Sequence, residues 1–190
     1  MDFKKLLSVV TMLLLQPAMA WKAISHEHEK TRMLNNFLYP MLMLCCLATF
    51  LGAIFDHEFS LDGFYMAIVK MGVKFITLFF AYYLSAFVVS KLPKLLLNTE
   101  CDSLKTEHLT GYSMVVFLAL DILIALFPNF RIIAWILQFY TVKVVWDGVA
   151  VLLRVGEEQR LTITMVVSLL VITVPFVVGL IMSALSANLG

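Results

Sequence analysis

Five stretches of this chain stay apolar for close to twenty residues or more, and only short polar pieces separate them. They run over 37–55, 64–90, 110–127, 130–153 and 161–185. A helix of roughly 20 apolar residues covers the roughly 30 Å of hydrocarbon in a bilayer. Backbone amides and carbonyls find no water there, so each stretch must bond within itself as a helix, because an open sheet would leave its edges unsatisfied. The expectation is an all-α integral membrane bundle of five transmembrane helices over 37–190, behind a lead-in over 1–36. Composition agrees: of 190 residues, 62% are hydrophobic and 14% charged, against about 25% charged in soluble domains. A net charge of +1 with its bases scattered along the chain excludes nucleic acid as a partner, since that needs a basic face.

Lys and Arg set the orientation. Lys4, Lys5, Lys22, Lys30 and Arg32 precede the first stretch, Lys91, Lys94 and Lys105 follow the second, and Arg154 and Arg160 flank the last connection. With alternating spans all of these fall on one side, and the opposite side has Arg131 alone. The first loop on that side carries Asp56, Glu58 and Asp62 with no base. The positive-inside rule places the basic side, and the N-terminus, in the cytoplasm and the C-terminus outside. The same bias supports five spans, because one more or one fewer would break the alternation.

The first twenty residues admit two readings. Lys4 and Lys5, the apolar run Leu6 to Leu15, and Ala18-Met19-Ala20 follow the layout of a secretory signal. On a helix, however, Phe3, Leu6, Leu7, Val10, Leu13 and Leu14 share a side at spacings of three and four. That fits an amphipathic helix lying in the membrane interface, too short to span. The fold expectation includes this N-terminal interfacial helix. Trp21 to Asn36 continues as a charged, partly helical lead-in. Pro128-Asn129 turns the chain in a tight helical hairpin. The longest connection, 91–109, reads as a polar loop with room for a short amphipathic piece, and Pro175 is expected to kink the last span.

Charges inside the apolar stretches are the candidates for chemistry, since each costs at least about 2.5–3.5 kcal/mol at mid-bilayer. Lys70 and Lys74 stand four apart and share a helix face, as do Lys143 and Asp147. At about 1.5 Å per residue, Lys74, Asp121 and Lys143 fall near the midplane, so Asp121 should pair with Lys143 or Lys74. An internal polar cluster of Lys70, Lys74, Asp121, Lys143 and Asp147 would line a cavity or take an anionic group. The competing reading is ion pairing that only holds helices together.

No other pattern supplies chemistry. His26-Glu27-His28-Glu29 places its histidines two apart, where helical side chains diverge, unlike metal-binding H-E-x-x-H. His57 between two acids is a weak outer cation site at most. No metal, cofactor or nucleophile-base pair is expected. Cys45, Cys46 and Cys101 lack zinc or redox spacing and read as apolar filler. Span hydroxyls (Thr49, Thr77, Ser85, Thr141, Ser168, Thr173) are expected to bond their own helix backbone. Gly52, Gly72, Gly148 and Gly179 are candidates for close helix contact. Tyr39, Tyr65, Tyr112, Trp135 and Trp21 are candidates for interfacial aromatic belts.

Several local patterns together resemble the Yip1 family of small polytopic membrane proteins, in its bacterial branch. Pro17, Trp21, Ile24 and Glu27 resemble its proline, tryptophan, isoleucine, acidic lead-in, and Tyr39-Pro40 its first-span opening. Gly111-Tyr112 resembles the glycine-tyrosine that opens its third span, and Phe127-Pro128 the proline that follows. Phe139-Tyr140 through Trp146-Asp147-Gly148 resembles the aromatic-glycine stretch of its fourth span. The eukaryotic branch's aspartate-leucine-tyrosine-glycine-proline motif is absent, and Val116 stands where that branch often has proline. The resemblance implies five spans, a cytoplasmic N-terminus, and a non-enzymatic protein of a bacterial inner membrane that organises membranes or membrane-bound partners. Its partners would be the lipid bilayer and a second copy or other membrane proteins. A small transporter or channel subunit, using the intramembrane charges, is the alternative.

Overall fold

Long apolar runs do become long helices in the computed structural model, which describes residues 3–26, 30–56, 61–97, 102–153 and 155–187. The readings on Glu27, His28, Glu29, His57, Glu58, Cys101 and Arg154 fall outside the described residues. The elements are α1 (Phe3–Leu15), α2 (Pro17–Ile24), α3 (Lys30–Met33), a π-turn (Leu34–Leu38), α4 (Tyr39–Asp56), α5 (Leu61–Leu97) and α6 (Ser103–Ser113). They continue as α7 (Val115–Leu126), a 3-10 turn (Pro128–Phe130), α8 (Arg131–Leu137), α9 (Tyr140–Leu152) and α10 (Glu157–Ala187). No strand occurs among the described residues.

Four continuous rods are long and apolar enough to cross a bilayer: Leu34–Phe55, Leu61–Leu95, Ser103–Leu126 and Glu157–Leu185. A fifth, α8 with α9, bends by 41° at its junction. The chain is therefore an integral membrane protein with four spans, or five when the bent pair is counted as one. The bend is not at a proline or glycine. It lies at Gln138-Phe139, where the backbone bonds of Phe139, Thr141 and Val142 reach only three residues back, to Ile136, Gln138 and Phe139. Such tightening to 3-10 geometry turns the axis.

Pro175 stands inside α10 without ending it, and Pro93 inside α5. The stretch expected as a polar loop is thus mostly helix. α5 runs on to Leu97, and α6 begins at Ser103, where the Asp102 carboxylate accepts the Leu104 amide and caps it. The apolar pattern hid α6 because its sequence is polar, yet Thr106, His108, Thr110 and Ser113 are buried in it. Thr106 and Thr110 satisfy their hydroxyls on backbone carbonyls of their own turn, Ser103 and Thr106, so burial there costs little.

Two ends of the bundle are distinct. At one, α2 packs against α9 and reaches α6 through the contact of Trp21 with Tyr112. At the other, α4, α5 and α7 converge on the turn at Pro128. Close contact between α4 and α7 depends on Gly52, because a Cβ there would drive into the Ala125 carbonyl. Gly148 is also tight, against the side chains of Leu109 and Trp21. Gly72 faces open space and Gly179 has only ordinary contact with Thr77, so these two are not contact glycines.

The expected N-terminal helix is present as α1, and its apolar residues divide between the bundle and the outside. Leu6 and Leu13 are buried against the bundle, while Phe3, Leu7, Leu15 and Met19, across α1 and α2, face outward. The apolar residues form an inward stripe and an outward one. An amphipathic reading on spacing alone could not separate them.

Candidate functional site

Trp21 organises the first end. It is fully buried, and its indole Nε1 donates to the Val144 carbonyl across 2.8 Å. Its ring meets Tyr112 edge-on, with centroids 6.1 Å apart, and Phe37 lies against the other side of Tyr112 at 4.7 Å. Gly148 makes this possible: a Cβ there would come within 2.7 Å and 2.8 Å of the Trp21 ring. Gly111 plays the same part for Met33, whose Sδ would lie 2.7 Å from an added Cβ. Pro17, Trp21, Gly111, Tyr112 and Gly148, read singly along the chain, are thus elements of one packing node or its approach, with buried Pro17 at the first turn of α2. Trp21 and Tyr112 are core residues and not belt aromatics. Trp135 and Tyr65 do face outward. Trp146 stands just beyond the node. The Arg160 guanidinium covers its ring at 4.0 Å and donates to its carbonyl at 3.2 Å and 3.3 Å, which ties the start of α10 to α9.

The five intramembrane charges divide into two groups. Lys74 Nζ lies 2.8 Å from Asp121 Oδ1, joining α5 to α7, with side chains 28% and 14% exposed. Lys143 turns instead to Asp147 on its own helix, at 3.0 Å, with side chains 56% and 9% exposed. Of the two partners anticipated for Asp121, Lys74 takes the place. Lys143 does not, because its four-residue spacing to Asp147 satisfies it locally.

Near the Pro128 end, Lys70, Lys74 and Asp121 line a cavity of about 200 Å³ with Thr49, Pro128 and Arg131. Arg131 is a member the sequence reading missed. It counted only toward orientation, since its place opposite Lys70 depends on the hairpin at Pro128 folding α8 back. A second cavity of about 320 Å³ adjoins at Asp121 and Ile124, between α7, α8 and α10. Its wall is apolar, with Phe117, Trp135, Phe139 and Phe176. Lys143 and Asp147 line neither cavity.

The remaining polar groups hold structure. Thr49, Thr77 and Thr173 donate to the carbonyls of Cys45, Val73 and Leu169, one turn back on their own helices. Ser85, Thr141 and Ser168 are buried with no hydrogen-bond partner among the described residues. Cys45 and Cys46 are buried free thiols, and the Cys45 thiol donates to the Leu118 carbonyl at 3.4 Å. Among the described residues no cluster of His, Cys, Asp or Glu has the makings of a metal site.

Compared with known families, residues 11–180 match the family model described as Yip1 domain. No curated protein and no solved structure matches the chain.

Proposed function

We propose, starting from the fact that this chain belongs to the Yip1 family, that it is a non-enzymatic protein that organises membranes or membrane-bound partners. Its place is a bacterial inner membrane, with the N-terminus cytoplasmic and the C-terminus outside, as the Lys and Arg count requires. Its partners are the bilayer itself and a second copy or other membrane proteins.

One observation carries the reading. α1 and α2 are clamped to the spanning bundle through Trp21, and they turn Phe3, Leu7, Leu15 and Met19 outward. An isolated amphipathic helix binds an interface reversibly. One fixed to a spanning bundle cannot leave it, and it adds apolar bulk at the level of one leaflet only. Such asymmetry favours curvature toward the opposite leaflet and sets the distance at which neighbours pack. Reconstitution into liposomes tests this: wild type should reduce vesicle diameter as its density rises, and Trp21→Ala, which releases the segment, should not. Equal diameters would refute the proposal.

The transporter alternative draws on the cavity at Lys70, Lys74, Asp121 and Arg131. Against it, Lys74 pairs with Asp121 and Lys143 with Asp147 separately, and the second pair lies outside that cavity. Single cysteines at Lys74, Asp121 and Lys143, in a background without Cys45, Cys46 and Cys101, separate the two. Labelling of all three by a water-soluble thiol reagent means a hydrated route, and labelling of none leaves the organising role.

A further inference from the structure

The larger, apolar cavity holds two polar atoms that the fold leaves unused. It lies between α7, α8 and α10, and Trp135, Phe139 and Phe176 on its wall are exposed, so it opens toward lipid. Asp121 and Gln138 also line it. Lys74 takes Asp121 Oδ1, but the buried Oδ2 has no hydrogen-bond partner among the described residues. The Cys45 thiol stands beside this carboxylate, yet a thiol is a weak donor, and this one is directed at the Leu118 carbonyl. The Gln138 amide nitrogen is likewise buried without a partner among the described residues. Buried polar atoms left unpaired are rare in native structures, and each calls for an explanation. The bend between α8 and α9 falls at the same place. Gln138 and Phe139 carry it, with no proline or glycine to cause it. Broken helical geometry at membrane depth is tolerated where the backbone lines a cavity, and a 3-10 break inside a helix often marks a functional position. An acceptor, a donor and an unprompted bend, from separate helices, thus converge on one apolar pocket.

We propose that this cavity binds a neutral lipid by its free hydroxyl. The hydroxyl donates to Asp121 Oδ2 and accepts from Gln138 Nε2, and an apolar chain lies between Phe117, Trp135 and Phe176. The terminal torsions of aspartate and glutamine are soft, so both atoms can turn into the space their residues line. One group that is donor and acceptor at once satisfies both. Charge narrows the class. An anion would meet the free carboxylate oxygen, and a cation would meet Lys74, which already neutralises Asp121 across 2.8 Å. Depth narrows it further. Asp121 stands about 8 Å at helical rise from the end of α7 at Leu126. A phosphate headgroup drawn to that depth would lose its water, whereas a hydroxyl with both hydrogen bonds made is readily buried. Pocket volumes of about 300 Å³ and above are those of small-molecule sites, and this cavity, at about 320 Å³, reaches that size. Water could bridge the same two atoms, but the aromatic wall and the opening toward lipid suit an apolar chain.

The test offers the whole protein in detergent 1,2-dioctanoylglycerol and its 3-O-methyl ether in equal amounts and reads the bound fraction of each by native mass spectrometry. The ether keeps the chains and loses the hydrogen that Asp121 accepts, so wild type should retain the alcohol over it by about tenfold. Q138L should weaken binding of both by about fivefold, since both oxygens accept from the amide. K74M/D121L should bind the two alike. Equal retention by wild type, an unchanged alcohol preference in K74M/D121L, or Q138L binding as wild type does overturns the proposal. Should K74M/D121L not fold, photolabelling of wild type in liposomes decides. A diazirine-bearing dioctanoylglycerol should label the peptides that carry Phe117, Trp135 or Phe176, and excess dioctanoylglycerol should compete with it where the ether does not. Label confined to other peptides, or equal competition by both, overturns the site. Offering 1-dodecanol beside the glyceride separates two sources of the hydroxyl. Preference for the glyceride assigns a diacylglycerol and preference for dodecanol a single-chain alcohol, and each supports the hydroxyl site. Retention of neither leaves the cavity to water and overturns the lipid assignment.

Discussion

Replacing Trp21 with alanine should release α2 from the bundle while leaving the spans intact. The indole is fully buried and donates to the Val144 carbonyl at 2.8 Å. Truncating a buried tryptophan to alanine costs about 3–5 kcal/mol, and the lost hydrogen bond about 1 kcal/mol. α2 has 8 residues, far below the length at which a helix holds itself in water, so docking is its only source of stability. At 1.4 kcal/mol per decade, amide exchange across 17–24 should accelerate at least about a hundredfold, limited by the total docking energy. Amides in the middle of α4 and α7 should not change. Trp21→Phe keeps most of the ring and should accelerate exchange only about fivefold, the worth of the hydrogen bond. Gly148→Ala places a Cβ against the same ring and should cost about 1–3 kcal/mol by overpacking. In the Trp21→Ala background the part of that cost set by the ring should vanish and the part set by Leu109 remain, giving a coupling of about 0.5–2 kcal/mol. Protection of α2 in Trp21→Ala within about fivefold of wild type, or strict additivity with Gly148→Ala, would refute the reasoning.

Other outcomes follow from the same geometry. Asp121→Ala leaves Lys74 uncompensated in a low dielectric and should lower stability in detergent by about 3–5 kcal/mol. Lys74→Met with Asp121→Leu should recover most of that loss, as read by thermal unfolding. Gly52→Val forces a side chain into the rigid Ala125 carbonyl and should destabilise by about 1–3 kcal/mol, whereas Gly72→Ala, facing open space, should be neutral or stabilising by about 0.5–1 kcal/mol. Arg160→Lys loses the flat contact with the Trp146 ring and the forked donation to its carbonyl, and hydrogen exchange should rise in the first turns of α10 while α4 stays protected.

The spans were legible because lipid imposes one strong rule, a long apolar run, and the runs at 37–55 and 161–185 lie wholly within spanning rods. α6 was not legible, since its buried threonines satisfy their hydroxyls locally and leave no apolar stripe to read. The bend at Gln138 also escaped, because no proline or glycine marks it. Pro93 and Pro175 both stand within continuous helices, so proline marks no helix end at either place. For the charges, spacing gave the depth of Lys74 and Asp121 well enough to anticipate their contact. Spacing could not decide between Lys74 and Lys143, since that depends on which helices are neighbours. Arg131 and the apolar groove beside it depend on the same tertiary arrangement. The family-like residues Trp21, Tyr112 and Gly148 lie far apart in sequence, and only the fold shows that they meet around one indole, with Gly111 packed beside them against Met33. Pro128 and Trp146 stand outside that node, one at the opposite hairpin and the other under Arg160.

The central claim, that a clamped N-terminal segment acts on one leaflet, is tested most directly by a variant that keeps the clamp and removes most of the outward apolar face, leaving only Phe3 of it. Leu7→Ser, Leu15→Ser and Met19→Ser together leave Leu6, Leu13 and Trp21 in place. The measurement is vesicle diameter by cryo-electron microscopy against protein density, beside exchange protection of α2. Wild type should shrink vesicles, and the triple variant should leave them at the protein-free diameter with α2 still protected. Identical curves for the two proteins, with α2 docked in both, would contradict the account.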